Sequence, residues 1–327
     1  MQLRQLGASG PIVSCLALGH SMGASDFSAA GRTQFDALIG RALELGVTFF
    51  DSSDAYWNGL HEEWLGTALG SARKNVVVTS KFGNLTLPDG SKATDARPEY
   101  AIACCEASLK RLGTDCIDVY YLHRVDPKVP IEDTFGAMSR LVQQGKVRHL
   151  GICEAGVATL ERAHRVHPLA ALQTEYSLWA RDAEADVIPA CRRLGIGFVG
   201  YSPLGRGMLT GAIASLEDLG ENDRRRDHPR FQDGNIQSNA GLIKPLTDMA
   251  KAKGCTPSQL ALAWLLAQGG DVVPIPGTKR RSHLKDNLAA VSVQLSGEEA
   301  ALLSRGIDDS QVAGTRYPKG QMAMLGV

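Results

Sequence analysis

The chain has 327 residues, and its 35 Lys and Arg residues balance its 35 Asp and Glu residues, which gives a formal net charge of zero. A neutral balance offers no electrostatic case for a nucleic-acid or membrane partner, so a small molecule is the expected partner. The length suits a single barrel domain, and residues 1–327 are predicted to form one domain.

Short apolar runs rich in β-branched and aromatic residues alternate along the chain with amphipathic helical patterns, as is typical of parallel α/β folds. Strands are predicted at residues 13–19, 47–51, 76–81, 118–123, 149–153, 171–176, 197–202 and 272–277. Helices are predicted near residues 31–45, 60–69, 98–111, 131–144, 156–165, 184–194, 237–253 and 257–267, and from about residue 281. Eight strand–helix units predict a closed (β/α)8 TIM barrel rather than an open sheet.

The longest irregular stretch is residues 212–236, which includes three consecutive arginines from Arg224 to Arg226. Long loops at a barrel rim often serve as lids or ligand clamps, and a solvated insertion is an equally open interpretation.

Two patterns resemble binding motifs without their structural context. Residues 195–200 satisfy GxGxxG, but they follow a predicted helix and enter a predicted strand, whereas the dinucleotide fingerprint opens a helix. Glu161, His164 and His167 have a spacing that metal ligands can use, but no second set of ligands accompanies them. We therefore expect a helix end with close packing in the first case, and a solvated helix face without a metal in the second.

Three predicted strands end in ionisable residues. Asp51, Lys81 and His123 lie at the carboxyl ends of their runs, and Tyr56 follows shortly after Asp51. Parallel strands bring these ends to one rim, where barrels place their chemistry. A phenol has a pKa near ~10, so it needs a cation such as Lys81 to act as a proton donor near neutral pH. With Asp51 holding Lys81 and His123 orienting a substrate oxygen, the sequence predicts a site that protonates a carbonyl oxygen.

Each of these residues also has another interpretation. A strand-end Asp is often a turn or helix cap, and Lys81 could be the Schiff-base nucleophile of an aldolase-type barrel. The occurrence of all three ionisable types at successive strand ends favours the proton-donating site.

The same residues resemble those of the aldo-keto reductases, a family of NADPH-dependent oxidoreductases. DSSDAY is similar to the family's DxxDxY motif, VVVTSKFG carries its lysine as Lys81, and DVYYLHRVD carries its histidine as His123. The segments LRQLGASGPIVSCLALG, LQTEYSLW, GYSPLGRGMLTG and IPGTKRRSHLKDN extend the resemblance along nearly the whole chain, and HRVDP and GICEAG resemble the subgroup related to perakine reductase. The resemblance implies a (β/α)8 barrel with an N-terminal β-hairpin.

It also implies reversible, metal-free hydride transfer between NADP(H) and an aldehyde or ketone, or the corresponding alcohol, with Tyr56 as general acid and base. An alternative within the family is a cofactor-bound regulatory subunit that senses redox state with little turnover. The complete set of four residues favours the enzyme.

Cofactor contacts are expected on two segments. Tyr201 ends its strand and could stack on the nicotinamide, and the segment that follows it could approach a diphosphate. Cations from Lys279 onward precede a helix and would suit a ribose 2′-phosphate. With the family resemblance, the predicted cofactor-binding residues are Gln173, Tyr201, Ser202, Leu204, Gly205, Arg206, Gly277, Thr278, Lys279, His283, Asp286 and Asn287.

The chain departs from the family pattern at several of these positions. His283 stands where many relatives have an arginine that stacks on the adenine, and Cys153 and Glu154 stand where a Ser–Asn pair is usual. Trp57 replaces a common glycine, which suggests an unusual substrate shape. The residues predicted to line the substrate pocket are Trp57, Phe82, Arg124 and Trp179.

Seven cysteines form no CxxC pair and lie mostly in apolar patterns, which predicts buried thiols in a reducing compartment. The N-terminal residues do not resemble a signal peptide, and no stretch approaches the length of a membrane span. A cytoplasmic location is expected.

Overall fold

The computed structural model describes residues 1–19, 26–232 and 234–327. Within them the strands are β1 (Leu3–Gln5), β2 (Ile12–Ser14), β3 (Phe49–Asp51), β4 (Val77–Phe82), β5 (Asn84–Thr86), β6 (Lys92–Thr94), β7 (Ile117–Leu122), β8 (Val147–Cys153), β9 (Leu169–Glu175), β10 (Gly197–Tyr201) and β11 (Val272–Ile275). The α-helices are α1 (Ala29–Glu44), α2 (Leu60–Leu69), α3 (Pro98–Leu112), α4 (Ile131–Gln143), α5 (Val157–Val166), α6 (Val187–Leu194), α7 (Asn235–Leu242), α8 (Lys244–Ala252), α9 (Pro257–Ala267), α10 (Arg281–Ala289), α11 (Gly297–Gly306) and α12 (Lys319–Met322).

Seven parallel strands form one sheet in the order β11, β10, β9, β8, β7, β4, β3. Residues 17–19 lie between the two edge strands, β3 and β11, and take the place of an eighth strand in the barrel. The Leu18 nitrogen donates to the Phe49 carbonyl at 2.9 Å, and the Gly19 nitrogen donates to the Pro276 carbonyl at 3.2 Å. Both edges are thereby paired, so the predicted barrel is confirmed.

The N-terminal hairpin of β1 and β2 packs at the end of the barrel where the strands begin. Its turn lies so close to β10 that a Cβ atom on Gly197 would lie 2.7 Å from the Gly7 nitrogen. Gly195 ends α6 with a φ of 69°, a left-handed conformation that suits glycine. The GxGxxG pattern is therefore a helix end followed by close packing, as predicted.

Alternation along the strands sorts side chains into two apolar clusters. Val119 and Tyr121 of β7 point into the barrel, whereas Tyr120 and Leu122 pack outward under the helices. Because side chains alternate with a period of two residues, the next residue, His123, faces inward again. The same alternation fixes the inward residue at the end of every strand.

The predicted helices are present except that one of them is divided, and α11 and α12 were not predicted. The sequence predicts one helix over residues 237–253, but α7 ends at Leu242 and α8 begins at Lys244. Pro245 is the second residue of α8, and a proline lacks the N–H that a continuous helix would require there. No helix in the described part of the chain is long and apolar enough to cross a bilayer.

Candidate active site

A cavity of about 960 Å³ opens at the rim formed by the carboxyl ends of the strands. Asp51, Tyr56 and His123 line it, and Lys81 lies directly beneath Asp51 and Tyr56. The structure therefore brings together all four residues that the sequence singled out. They come from the ends of β3, β4 and β7 and from the turn that follows β3.

Lys81 and Asp51 form a buried ion pair at the centre of this group. The Lys81 Nζ donates to Asp51 Oδ2 at 2.7 Å and to the Ser52 carbonyl at 2.8 Å. The other oxygen of Asp51 accepts from the Thr79 hydroxyl at 3.0 Å and from Gln173 Nε2 at 2.8 Å. Burying a charged pair is costly unless its remaining hydrogen-bonding groups are satisfied, and these contacts satisfy them.

Tyr56 is held over the lysine. Its hydroxyl lies 3.4 Å from Lys81 Nζ, and the ammonium lies 4.9 Å from the centre of its ring. The following residues, Trp57 and Asn58, adopt positive φ values of 54° and 52°, so the chain turns sharply after Tyr56. Trp57 is held in this unfavourable conformation by edge-to-face packing on Phe35 and other aromatic rings.

His123 completes the group from the opposite side. Its Nδ1 lies 3.1 Å from the Ser53 hydroxyl, and its ring meets that of Tyr56 edge-on with centres 6.0 Å apart. Burial, followed by the positive charges of Arg124 and Lys81, holds the pKa of His123 well below its ordinary value. The imidazole is therefore neutral, and Nε2 is the nitrogen left for a substrate oxygen.

The pKa of Tyr56 differs from the sequence expectation. Burial raises the pKa of the phenol to about 12, although the Lys81 charge acts in the other direction and lowers it. Desolvation wins because the phenol is enclosed while the lysine charge is largely compensated by Asp51. Burial also opposes the ammonium of Lys81, yet Asp51 and Tyr56 more than offset this and raise the pKa of Lys81 above its ordinary value.

Of the residues predicted to hold a nicotinamide, Gln173 and Tyr201 line the cavity. The bond to Asp51 uses the amide nitrogen of Gln173, which leaves its oxygen available as an acceptor. The Tyr201 hydroxyl donates to Glu154 at 2.6 Å and lies 3.0 Å from the hydroxyl of Tyr317. These contacts fix the ring of Tyr201 at the end of β10.

The segment after β10 turns sharply along the cavity wall, because two of its non-glycine residues have positive φ values. Ser202, Leu204 and Arg206 line the cavity, and Ser202 and Arg206 have positive φ values of 51° and 56°. The guanidinium of Arg206, however, donates to Glu175 at 3.0 Å and is buried. Gly205 lies under the indole of Trp179, where a Cβ atom would come within 2.6 Å of the ring, so this glycine permits packing and does not face the cavity.

The second predicted cofactor segment also reaches the cavity, which is lined there by Gly277, Thr278, Lys279, Arg280, His283, Asp286 and Asn287. The Asp286 carboxylate accepts from Thr256 Oγ1 at 3.0 Å and from Gln259 Nε2 at 2.7 Å, so it is braced against the start of α9. Arg281 begins α10 and is exposed.

Two of the four predicted pocket residues are wrong. Trp57 and Arg124 line the cavity. Phe82 does not, because it follows the inward Lys81 and therefore points outward, where it stacks on Tyr120 with ring centres 5.2 Å apart. Trp179 is buried against Phe231 and lies 5.1 Å from the guanidinium carbon of Arg230, away from the cavity.

Sequence reasoning missed the contribution of the C-terminal residues. Tyr317, Pro318, Gln321, Met324 and Leu325 line the cavity. Arg316 lies 3.2 Å from the buried carboxylate of Glu154, and the Gly326 nitrogen donates to the Glu154 carbonyl at 2.9 Å. The available signal was Glu154 itself, because a carboxylate at a buried strand end requires a cation from elsewhere in the chain.

The loop after β10 also reaches the cavity. Arg224, Arg225 and Asp227 lie in the lining, and the Asp223 carboxylate binds Arg225 at 2.6 Å. Of the two interpretations left open by the sequence, this placement favours a ligand clamp over a solvated insertion.

The chain is similar to known proteins over most of its length. The family model described as the aldo/keto reductase family matches residues 17–307. A crystal structure of a thermostable aldo-keto reductase in complex with the inhibitor epalrestat has 30% identity and a TM-score of 0.76, covering 94% of this chain and 100% of that one. The structure of a glycerol dehydrogenase from Gluconobacter oxydans has 25% identity and a TM-score of 0.83, covering 93% and 94%.

Proposed function

The chain belongs to the aldo/keto reductase family and is an oxidoreductase, and from this premise we propose that it catalyses reversible hydride transfer between NADP(H) and an aldehyde or ketone. The observation that carries the proposal is the buried contact chain from Asp51 through Lys81 to the Tyr56 hydroxyl, with neutral His123 beside it. The segments HRVDP and GICEAG support a place in the subgroup that contains perakine reductase.

The cavity fits a dinucleotide phosphate. It extends from Tyr56 and His123 past Tyr201 to Lys279, Arg280 and the start of α9. Tyr201 offers an aromatic face at one end, and cations with the N-terminus of α10 offer an anion site at the other. When bound, the cofactor supplies the hydride at C4 of its nicotinamide.

The protein's own residues supply the proton and the position of the carbonyl. Tyr56 donates its hydroxyl proton to the carbonyl oxygen in reduction and takes it back in oxidation. Lys81 stabilises the phenolate that remains, and Asp51 keeps the ammonium in place. His123 donates a hydrogen bond from Nε2 to the same oxygen, which fixes its direction.

The pH dependence tests this assignment. With a pKa of about 12, Tyr56 stays protonated through neutral pH, so single-turnover reduction should be flat there and decline only in strong alkali. Oxidation requires the phenolate, whose fraction grows about tenfold per pH unit below the pKa. Alcohol oxidation should therefore rise with pH across the same range. NADPH oxidation and NADP⁺ reduction are followed by absorbance over a panel of carbonyls and alcohols.

Single-turnover conditions are needed so that cofactor release does not limit either direction. Parallel profiles for reduction and oxidation would count against Tyr56 as the proton donor. A panel without any NADPH-dependent turnover would count against the proposed function as a whole.

Cofactor preference gives a second test. NADPH should bind at least about tenfold more tightly than NADH, because one charge-assisted hydrogen bond to the 2′-phosphate contributes about 1.5–3 kcal/mol. Lys279→Ala should remove most of this difference by weakening NADPH binding alone. Dissociation constants of both cofactors are measured by fluorescence titration. Lys285→Ala is the matched control, since this exposed lysine of α10 lies outside the lining formed by the described residues.

Equal affinities of the wild type for the two cofactors would refute the assignment of this cluster. A Lys279→Ala variant that loses affinity for NADH and NADPH alike would also refute it, because the adenosine ribose of NADH has no 2′-phosphate to contact that side chain.

A further inference from the structure

Arg124 brings a positive charge to the cavity directly beside His123. The residue is only 8% exposed, and it lines the cavity together with Tyr56 and His123. Its Nη1 donates to the His123 carbonyl at 2.7 Å. Among the described residues no carboxylate lies within 4.0 Å of it, and its other N–H groups form no hydrogen bond.

The other buried arginines around the cavity are arranged differently. Arg206 and Arg230 each lie 3.0 Å from an oxygen of Glu175, and Arg316 lies 3.2 Å from Glu154. Those pairs hold the fold together. Burial opposes the charge of Arg124, and Tyr201, Tyr317 and Glu154 offset this at longer range and raise its pKa, but none of them forms an ion pair with it. An anionic ligand would be its first direct ionic partner.

A second cation lies on the same side of the cavity. Lys92, in β6, lines it and contacts the Thr86 hydroxyl of the paired strand β5. The positive charges of Arg124 and Lys92 both contribute to the low pKa of His123, which places them near the imidazole. Burial, followed by the positive charge of Arg224, lowers the pKa of Lys92, so Arg224 of the long loop adds a third cation near Lys92.

Arg124 is separate from the proposed 2′-phosphate site. Around the eight-position rim that begins with residues 17–19, Arg124 follows the fourth position, β7, and Lys279 follows the eighth, β11. The two positions lie across the barrel from each other. One dinucleotide phosphate at Lys279 therefore leaves Arg124 unused.

We propose that the carbonyl substrate carries an anionic group, a carboxylate or a phosphate, and that Arg124 binds this group beside His123 with support from Lys92. The proposal deepens the function proposed above and rests on it. A bidentate arginine contact would hold the anion while His123 and Tyr56 act on the carbonyl oxygen. Arg124 is thus a specificity-determining residue for charge.

Matched substrate pairs test this proposal. The first pair is 4-formylbenzoate and its neutral methyl ester, and the second is glyceraldehyde 3-phosphate and glyceraldehyde. In the wild type, kcat/KM should favour the anionic member of at least one pair by about tenfold or more, the factor that one charge-assisted hydrogen bond contributes. A preference for the anionic member of the first pair identifies the anion as a carboxylate, and a preference in the second pair identifies it as a phosphate.

Arg124→Gln should reduce that ratio about tenfold, mainly through KM of the anionic member, and Arg124→Lys should retain part of it. Lys92→Gln should reduce the anionic-to-neutral kcat/KM ratio by a smaller factor. This variant tests the proposal if the Arg124 variants fail to fold. Arg193→Gln is the control, because this exposed arginine pairs with Glu161 away from the cavity. Its ratio should equal that of the wild type.

Calorimetric titration with benzoate and with benzamide is the readout that needs no turnover. Benzoate should bind the wild type at least about tenfold more tightly than benzamide does, and Arg124→Gln should lose this difference. Wild-type ratios near one in both pairs, or benzoate binding no tighter than benzamide, would overturn the proposal. Turnover of the neutral members would leave the proposed function standing in that case.

Discussion

Replacing Tyr56 with Phe is expected to lower kcat for carbonyl reduction by about 10²–10⁴-fold, the range in which a positioned proton donor contributes. The substitution removes the hydroxyl that lies 3.4 Å from Lys81 Nζ and leaves the ring packed edge-on against His61 and His123. NADPH affinity should change little, because only one oxygen atom is lost from the cavity wall. Steady-state kinetics and cofactor titration of the same preparation measure both effects.

Tyr120→Phe is the matched control for this variant. The Tyr120 hydroxyl donates to the Ala101 carbonyl at 3.4 Å on the outer side of β7, so the same chemical change is made away from the cavity. Its kcat should stay near that of the wild type. A Tyr56→Phe enzyme that retains wild-type kcat would show that another group donates the proton.

The sequence was sufficient to place three of the four central residues because their positions follow from strand geometry, and Tyr56 follows Asp51 closely in the chain. Each of Asp51, Lys81 and His123 ends an apolar run, and parallel strands bring their carboxyl ends to one rim. The helices were recoverable for a similar reason, since their apolar residues recur with the helical period. The break near Pro245 was not predicted because the apolar period continues across it, so the two helices resembled one.

Most of what the sequence did not yield depends on contacts between distant parts of the chain, and Phe82 is the exception. Phe82 was misplaced although the strand period could have turned it outward once Lys81 was assigned inward. Trp179 is buried by Gly205 and Phe231, which no local pattern associates with it. The C-terminal segment reaches the cavity through the contact of Arg316 with Glu154, a pairing of residues 162 positions apart.

The Tyr56 pKa shows a different limit. The sequence indicates which charge lies near the phenol, and the sign of the Lys81 effect was correct. The net shift depends on how deeply the phenol is buried and on how far Asp51 compensates the ammonium, and both are properties of the folded site. The raised pKa keeps Tyr56 protonated over the neutral range, and Lys81 remains the group that stabilises the phenolate once the proton is transferred.

Replacing Lys81 with Met is expected to lower the free energy of unfolding by about 3–5 kcal/mol, the effect of breaking a buried ion pair. Asp51 would remain buried at 2% exposure with only its bonds from Thr79 and Gln173. Turnover should be lost as well, since the phenolate of Tyr56 would have no cation beside it. Chemical denaturation followed by circular dichroism measures the first effect, and NADPH oxidation measures the second.

The double variant Asp51→Leu with Lys81→Met separates stability from chemistry. Two apolar side chains of similar volume should recover most of the lost stability, because neither leaves a buried charge, while turnover stays absent. Lys244→Met is the control, since its exposed pair with Asp248 on the same helix should contribute less than about 0.5 kcal/mol. A stable, active Lys81→Met enzyme would remove the ion pair from both the fold and the mechanism.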